Sequence, residues 1–126
     1  PDGFKDDPSD RLGPRQRMAD SLDKIFKTKY DKKAVIPTLE SKLFGIGVES
    51  YTVNSHEFVM GYAQSRKILA LLDMGHFHIS ENVADKISSF LMFLVRSRFT
   101  FRVPSAGTPI MFCARMTISP RPHVKS

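Results

Sequence analysis

ILALLDMGHFHIS, residues 68–80, is the stretch that decides the fold of this chain. Residues 68–72 form a short continuous apolar run, typical of a strand that is buried on both faces. Asp73 closes the run, and the glycine and two histidines that follow indicate a loop at the carboxyl end of the strand. Ser80 and Glu81 then begin a helix. Its apolar stripe comprises Val83, Ala84, Ile87, Phe90, Leu91 and Leu94.

The residues before this stretch predict three more elements. Pro14 suits the first turn of a helix over about 14–30, whose apolar face holds Met18, Leu22, Ile25 and Phe26. A strand is expected within 36–44. A second helix begins at Asn54 or Ser55 and runs to about Lys67, with Glu57 placed for a capping box if Asn54 is the cap. The order helix, strand, helix, strand, helix predicts an α/β protein with a parallel sheet.

Charge divides the chain into two parts. The net charge of the 126 residues is +6, and all of it lies in residues 90–126, which hold six basic side chains and no acidic one. These charges follow no helical or alternating order, so we do not expect a nucleic-acid partner. No apolar run reaches the roughly 18 residues of a membrane span, and no signal-like start is present, which predicts a cytoplasmic chain without membrane contact. The single Cys113 excludes an internal disulfide framework and a multi-cysteine zinc site.

Three polar residues at predicted strand ends are candidates for metal binding. In parallel α/β folds the functional groups lie at the carboxyl ends of the strands, where Glu40, Asp73 and His76 are expected. Two carboxylates and an imidazole suit Mn²⁺, Mg²⁺ or Zn²⁺. Simpler roles remain open: Asp73 as a turn cap, the histidines as structural groups, and Glu40 with Lys42 as a surface ion pair.

The amino-acid sequence of residues 1–89 resembles that of the L-rhamnose isomerase family. The matching segments are PDGFKDDPSDRLGPRQRMADSLD, ESKLFGIGVESYTVNSHEFVMGYAQSR, LDMGHFH and DKISS. The resemblance implies a fragment of a (β/α)8 TIM barrel, homotetrameric when intact, that interconverts L-rhamnose and L-rhamnulose with Mn²⁺, or with Zn²⁺ or Mg²⁺, as cofactor. Another barrel-type sugar isomerase is the nearest enzymatic alternative, but ESKLFGIG and LDMGHFH favour rhamnose.

The same resemblance implies roles for individual residues. Glu40 and Asp73 match ligands of the structural metal, and His76 matches a ligand of the catalytic metal. Lys42 matches a catalytic lysine that hydrogen-bonds the reacting oxygens of the sugar. His78 is assigned no role beyond support of the metal loop.

The resemblance stops just past residue 90. The family continues approximately as EVALHVSRPLRWDSDHVL, with a histidine and two aspartates for the metals, whereas residues 96–113 read RSRFTFRVPSAGTPIMFC. A set of codons can be written for these 18 residues. When one G is added in front and translation starts from that base, the same nucleotides encode the family segment at every position. We therefore infer a shifted reading frame that begins between about Phe93 and Arg96. Residues 1–94 would be the barrel fragment, and residues 95–126 an out-of-frame, irregular and disordered tail.

Loss of the rest of the barrel predicts a poorly folded and inactive chain, since only two or three of eight strands are present. Two other classes of function stay open. One is a nonenzymatic fragment that interacts with a full-length isomerase, and the other is a small basic binding module whose affinity for DNA or RNA would depend on salt.

Overall fold

A computed structural model describes residues 2–3, 9–31, 33–94, 96–103 and 110–117, and for the last two ranges it describes the backbone. No helix among the described residues is long and apolar enough to cross a membrane. The helices are α1 (Leu12–Phe26), α2 (His56–Arg66) and α3 (Val83–Phe93), and the strands are β1 (Thr38–Glu40), β2 (Leu69–Asp73), β3 (Arg96–Val103) and β4 (Ile110–Thr117). Short 3-10 turns occupy Gly47–Thr52 and Met74–His76. The predicted order of elements through α3 is confirmed.

The strands form one sheet in the order β1-β2-β3-β4. β2 pairs in parallel with both β1 and β3. Because α2 connects β1 to β2 and α3 connects β2 to β3, the chain contains two successive βαβ units. The predicted α/β class with a parallel sheet is therefore confirmed for this part of the chain.

The segment after α3 differs from the irregular tail that the sequence predicted. β3 and β4 form an antiparallel pair over eight positions, from Arg96 opposite Thr117 to Val103 opposite Ile110. The expectation of irregular structure is wrong for these two segments. Phe99, Phe101 and Val103 alternate with polar residues, a pattern typical of a strand, so the strand signal is present in the sequence. The disorder expected for residues 104–109 and 118–126 lies outside the described residues.

The hydrophobic core lies between one face of the sheet and the helices α2 and α3. Leu39 pairs with Ala70 across β1 and β2, and both are buried, as is Leu72. Leu69 and Leu71 are only half-buried, so the prediction that β2 is buried on both faces is wrong. The helices cover one side of the sheet, and alternate residues of a strand point to opposite sides. The other core residues are Val59, Tyr62, Ala63, Phe77, Val83, Phe90 and Leu94.

Helix α1 packs on the edge of this core through half-buried Leu22 and Phe26. Ile25, predicted on the same face, is 55% exposed. A polar contact supplements the packing: Asp23 accepts a hydrogen bond from the Tyr62 hydroxyl at 2.8 Å and ion-pairs with Arg66. The Arg66 guanidinium, and next the Tyr62 hydroxyl, lower the pKa of Asp23. This contact joins α1 to α2.

Candidate metal centre

The structure brings Glu40, Asp73 and His76 together. Glu40 is the last residue of β1, Asp73 is the last residue of β2, and His76 lies in the 3-10 turn that follows. Since β1 and β2 are parallel neighbours, their carboxyl ends meet at the same edge of the sheet. One ligand atom from each of the three side chains lies within 4.8 Å of the other two.

Asp73 is a buried carboxylate that also caps the turn. Its side chain is 4% exposed, and its Oδ1 accepts the Gly75 N–H at 2.8 Å. The turn-cap role considered from the sequence is therefore real, but it does not exclude metal binding, because an ionised carboxylate has two oxygens and about four acceptor sites. The turn also returns the chain toward β1: the Leu43 N–H donates to the carbonyl of His76 at 3.1 Å.

His76 presents a ring nitrogen to the carboxylate of Glu40. The distance from His76 Nδ1 to Glu40 Oε1 is 3.3 Å, and both side chains are at least two-thirds buried. Among the described residues Nδ1 has no hydrogen-bond partner, although the atom itself is buried. A buried polar atom without a partner is costly, and a cation between the imidazole and the two carboxylates would remove that cost. The three side chains thus fit a divalent metal ion.

Lys42 and His78 have other contacts in the structure. The Lys42 ammonium lies 2.9 Å from Glu49 Oε2, so its ion pair is with the 3-10 turn Gly47–Thr52 and not with Glu40. The Lys42 side chain is mostly buried, whereas that of Glu49 is exposed. His78 is exposed and its Nδ1 contacts the Ser80 hydroxyl at 2.7 Å. It is not a member of the three-residue cluster.

Buried polar residues behind the cluster were not singled out from the sequence. Ser41 is fully buried, and its hydroxyl lies 3.0 Å from Nδ1 of His56, at the start of α2. The His56 ring stacks on Phe90 with 5.3 Å between centroids and meets the edge of Phe77. Burial, and next the nearby cationic Lys86, lower the pKa of His56.

Asn54 also has a role beyond the predicted one, since its pattern predicted only a possible helix cap. The cap of α2 is Ser55, whose hydroxyl accepts the Phe58 N–H at 3.2 Å. Asn54 instead hydrogen-bonds to the backbone of Glu40 and Lys42. The sequence does contain one signal for this role. Asn54 is a polar residue directly before the helix cap, in a loop that must pack on the end of a strand.

Known proteins of one family match this chain. The family model of L-rhamnose isomerase (RhaA) matches residues 1–105. The L-rhamnose isomerase of Rhodopirellula baltica (strain DSM 10527 / NCIMB 13988 / SH1) is 56% identical over 94 residues, which are 75% of this chain and 22% of that protein. The L-rhamnose isomerase of Yersinia pestis (strain Pestoides F) is 54% identical over 96 residues, which are 76% of this chain and 23% of that protein. The same values hold for the L-rhamnose isomerase of Yersinia pseudotuberculosis serotype O:1b (strain IP 31758).

The chain therefore spans just under a quarter of the length of the curated relatives that it matches. The family model covers residues 1–105, which are most of the chain. On this evidence the chain belongs to the L-rhamnose isomerase family.

Proposed function

We propose that this chain carries part of the metal site of an enzyme that converts L-rhamnose to L-rhamnulose by metal-dependent aldose–ketose isomerisation. The observation that carries the proposal is the cluster of Glu40, Asp73 and His76 at the carboxyl ends of two parallel strands, in a chain of the L-rhamnose isomerase family. In parallel α/β enzymes this edge of the sheet is where catalytic residues lie.

Each residue has a distinct part in the proposal. The resemblance assigns Glu40 and Asp73 to the structural metal and His76 to the catalytic metal of the intact enzyme; in this chain, where one ligand atom of each lies within 4.8 Å of the others, the three hold a single ion through two carboxylate oxygens and an imidazole nitrogen. The cofactor is Mn²⁺, with Zn²⁺ or Mg²⁺ as alternatives. When bound, such a cation polarises the two sugar oxygens and stabilises the negative charge that develops during isomerisation.

Lys42 donates a hydrogen bond to a reacting oxygen of the sugar. To do so its ammonium must share or leave the carboxylate of Glu49, 2.9 Å away. Glu49 is 62% exposed, and an ion pair with an exposed partner is worth only about 0–1 kcal/mol. A sugar hydroxyl can therefore compete with Glu49 for Lys42 at little cost.

The wider architecture in this proposal is a fragment of a (β/α)8 barrel. The β1-α2-β2 unit, which lies before the proposed change of reading frame, supports it, since barrel strands follow one another in chain order with a helix between them. A closed barrel needs eight strands, and among the described residues two, β1 and β2, precede the proposed change of reading frame. We propose that this chain is inactive by itself, and that the intact enzyme is a cytoplasmic homotetramer.

The change of reading frame near residues 93–96 remains part of the proposal. The antiparallel β3–β4 pair supports it, because the barrel continues with parallel strands only. The family match extends to residue 105, about ten residues past that point. The nucleotide sequence around the codons for Leu94 and Val95 tests the proposal directly: a single frame with no isomerase code in another phase would refute it.

The metal and the activity are tested on the same purified chain. Titration with Mn²⁺ followed by electron paramagnetic resonance should show a site that is lost in His76→Ala and retained in the control His78→Ala. Assays of L-rhamnose conversion should show no L-rhamnulose. Absence of binding in the unsubstituted chain would refute the metal site, and product formation that disappears in His76→Ala would refute the proposed inactivity.

A further inference from the structure

The backbone that leaves β1 toward the metal centre is held from one side by β2 and its loop. β1 ends at Glu40 and is the outer strand of the described sheet. Beyond it, the Ser41 N–H donates to the carbonyl of Leu71 at 3.3 Å, and the Leu43 N–H donates to the carbonyl of His76 at 3.1 Å. The peptide groups that lie between these bonds point away from β2, as in any extended segment. They would be an open strand edge without a further partner.

Asn54 provides that partner. Its side-chain Nδ2 donates to the carbonyl of Glu40 at 2.9 Å, and its Oδ1 accepts the N–H of Lys42 at 2.9 Å. Its own backbone N–H donates to the carbonyl of Lys42 at 2.8 Å. Asn54 is 4% exposed, so these bonds are shielded from water. A side-chain amide has both an NH2 donor group and a carbonyl acceptor, and it therefore satisfies this edge as a neighbouring strand would.

The three bonds enclose the segment that carries two of the candidate functional residues. Glu40 and Lys42 are two positions apart, so in an extended segment their side chains leave the backbone on the same side. Ser41 lies between them on the opposite side, where its hydroxyl contacts His56 at 3.0 Å. A shift of this backbone by a fraction of an ångström would move the Glu40 carboxylate relative to Asp73 and His76.

We propose that Asn54 is a positioning residue that fixes the Glu40 carboxylate for the metal and the Lys42 ammonium for the sugar. This inference rests on the proposed function of the cluster. Asn54 would act through the backbone of both residues and contact neither metal nor sugar. Groups that orient metal ligands in this way change metal affinity by about 10–100-fold when they are lost.

The test compares Asn54→Ala and Asn54→Asp with Ser55→Ala in the full chain. Ser55 is equally buried, caps α2 and contacts Asp2, so its loss disturbs the same turn without touching the backbone of Glu40 or Lys42. We expect the Kd for Mn²⁺ to rise at least tenfold in Asn54→Ala, and less than threefold in Ser55→Ala. Asn54→Asp keeps an acceptor for Lys42 but loses the donor to Glu40, and we expect an intermediate Kd.

Hydrogen exchange of individual amides, followed by NMR without metal, provides a second readout. The Lys42 amide should be protected in the unsubstituted chain and in Asn54→Asp, and should exchange faster in Asn54→Ala. The Leu43 amide should stay protected in all of them, because its acceptor is the carbonyl of His76. Faster exchange at both positions would mean a general loosening and would contradict a specific clamp.

Two results separate this inference from the proposed function. Suppose first that the unsubstituted chain binds Mn²⁺. If Asn54→Ala then binds Mn²⁺ with the same Kd, or if Asn54→Ala and Ser55→Ala weaken Mn²⁺ binding equally, the positioning role is refuted and the metal site stands. If the unsubstituted chain binds no Mn²⁺, the metal function is refuted, and the positioning role with it.

Discussion

Replacing Asp73 with Asn should make the metal-free chain no less stable, while removing most of the stability that Mn²⁺ adds. The amide oxygen of Asn can still accept the Gly75 N–H, a bond of 2.8 Å in the structure, so the turn is preserved. The substitution removes one negative charge from a cluster whose ligand atoms lie within 4.8 Å of one another. Two like charges at that separation repel by about 1 kcal/mol in water and about 3 kcal/mol at an effective dielectric constant of 20.

The metal acts in the opposite direction. Glu40 comes from β1, whereas Asp73 and His76 come from the end of β2 and its turn, so a bound ion cross-links two strands. An ion present at 100 times its Kd stabilises the folded chain by about 2.7 kcal/mol. Each kcal/mol corresponds to about 4–8 °C in Tm for 60–100 residues and to about 2–4 °C for 150–250 residues, so for this chain the increase is on the order of 10 °C. Every tenfold loss of affinity in Asp73→Asn should lower the increment by about 1.4 kcal/mol.

Thermal unfolding followed by circular dichroism, with Mn²⁺ and with EDTA, measures both effects, and a sharp cooperative transition would contradict the expectation that the chain is poorly folded. Asp85→Asn is the matched control, because Asp85 is an exposed aspartate in the first turn of α3 and lies outside the cluster. The control should keep the full Mn²⁺ increment. An equal Mn²⁺ increment in Asp73→Asn and the unsubstituted chain would refute the cluster as a metal site. A lower metal-free Tm in Asp73→Asn would refute the argument from repulsion.

Three further predictions concern the fold that supports the site. Phe90 is fully buried, whereas Phe93, one turn later in α3, is 50% exposed. In urea denaturation Phe90→Ala should lower the free energy of unfolding by about 3–5 kcal/mol, and Phe93→Ala by about 1 kcal/mol or less. Equal losses would contradict the placement of Phe90 in the core. Burial lowers the pKa of His56 below 6.5, so the stability that the neutral His56 ring contributes is present above about pH 6.5 and is lost as the pH falls through the folded-state pKa. The variant His56→Gln should therefore show a weaker dependence of stability on pH. An unchanged slope would refute this role of His56. Burial and the adjacent Asp23 raise the pKa of Tyr62 to about 12, so stability should fall as the pH rises from about 10 toward 12, and this loss should shrink in Tyr62→Phe. Identical alkaline unfolding of the two chains would show that the Tyr62 hydroxyl is not buried.

Helix and strand order through α3 could be predicted because it depends on local patterns. The apolar run before Asp73 and the spacing of Val83, Phe90 and Leu94 identify β2 and α3 without knowledge of their partners. Strand alternation is also present in β3, where Phe99, Phe101 and Val103 alternate with polar residues, so β3 too has a local pattern that predicts a strand.

The sequence by itself also determined which residues could bind a metal, and the resemblance to the family named Glu40, Asp73 and His76 before any geometry was known. Parallel pairing of two strands then places Glu40 beside residues more than 30 positions later, and this pairing follows from the βαβ pattern. The approximate place of the candidate site was therefore predictable.

Only the tertiary structure decided how the site is supported. Lys42 pairs with Glu49, Ser41 contacts His56, and Asn54 closes the edge of the extended segment after β1. Each of these contacts joins polar groups that are 7 to 15 positions apart in the chain. Local propensity does not select such partners, because a buried polar group binds whichever donor or acceptor the packing of strands and helices brings within reach.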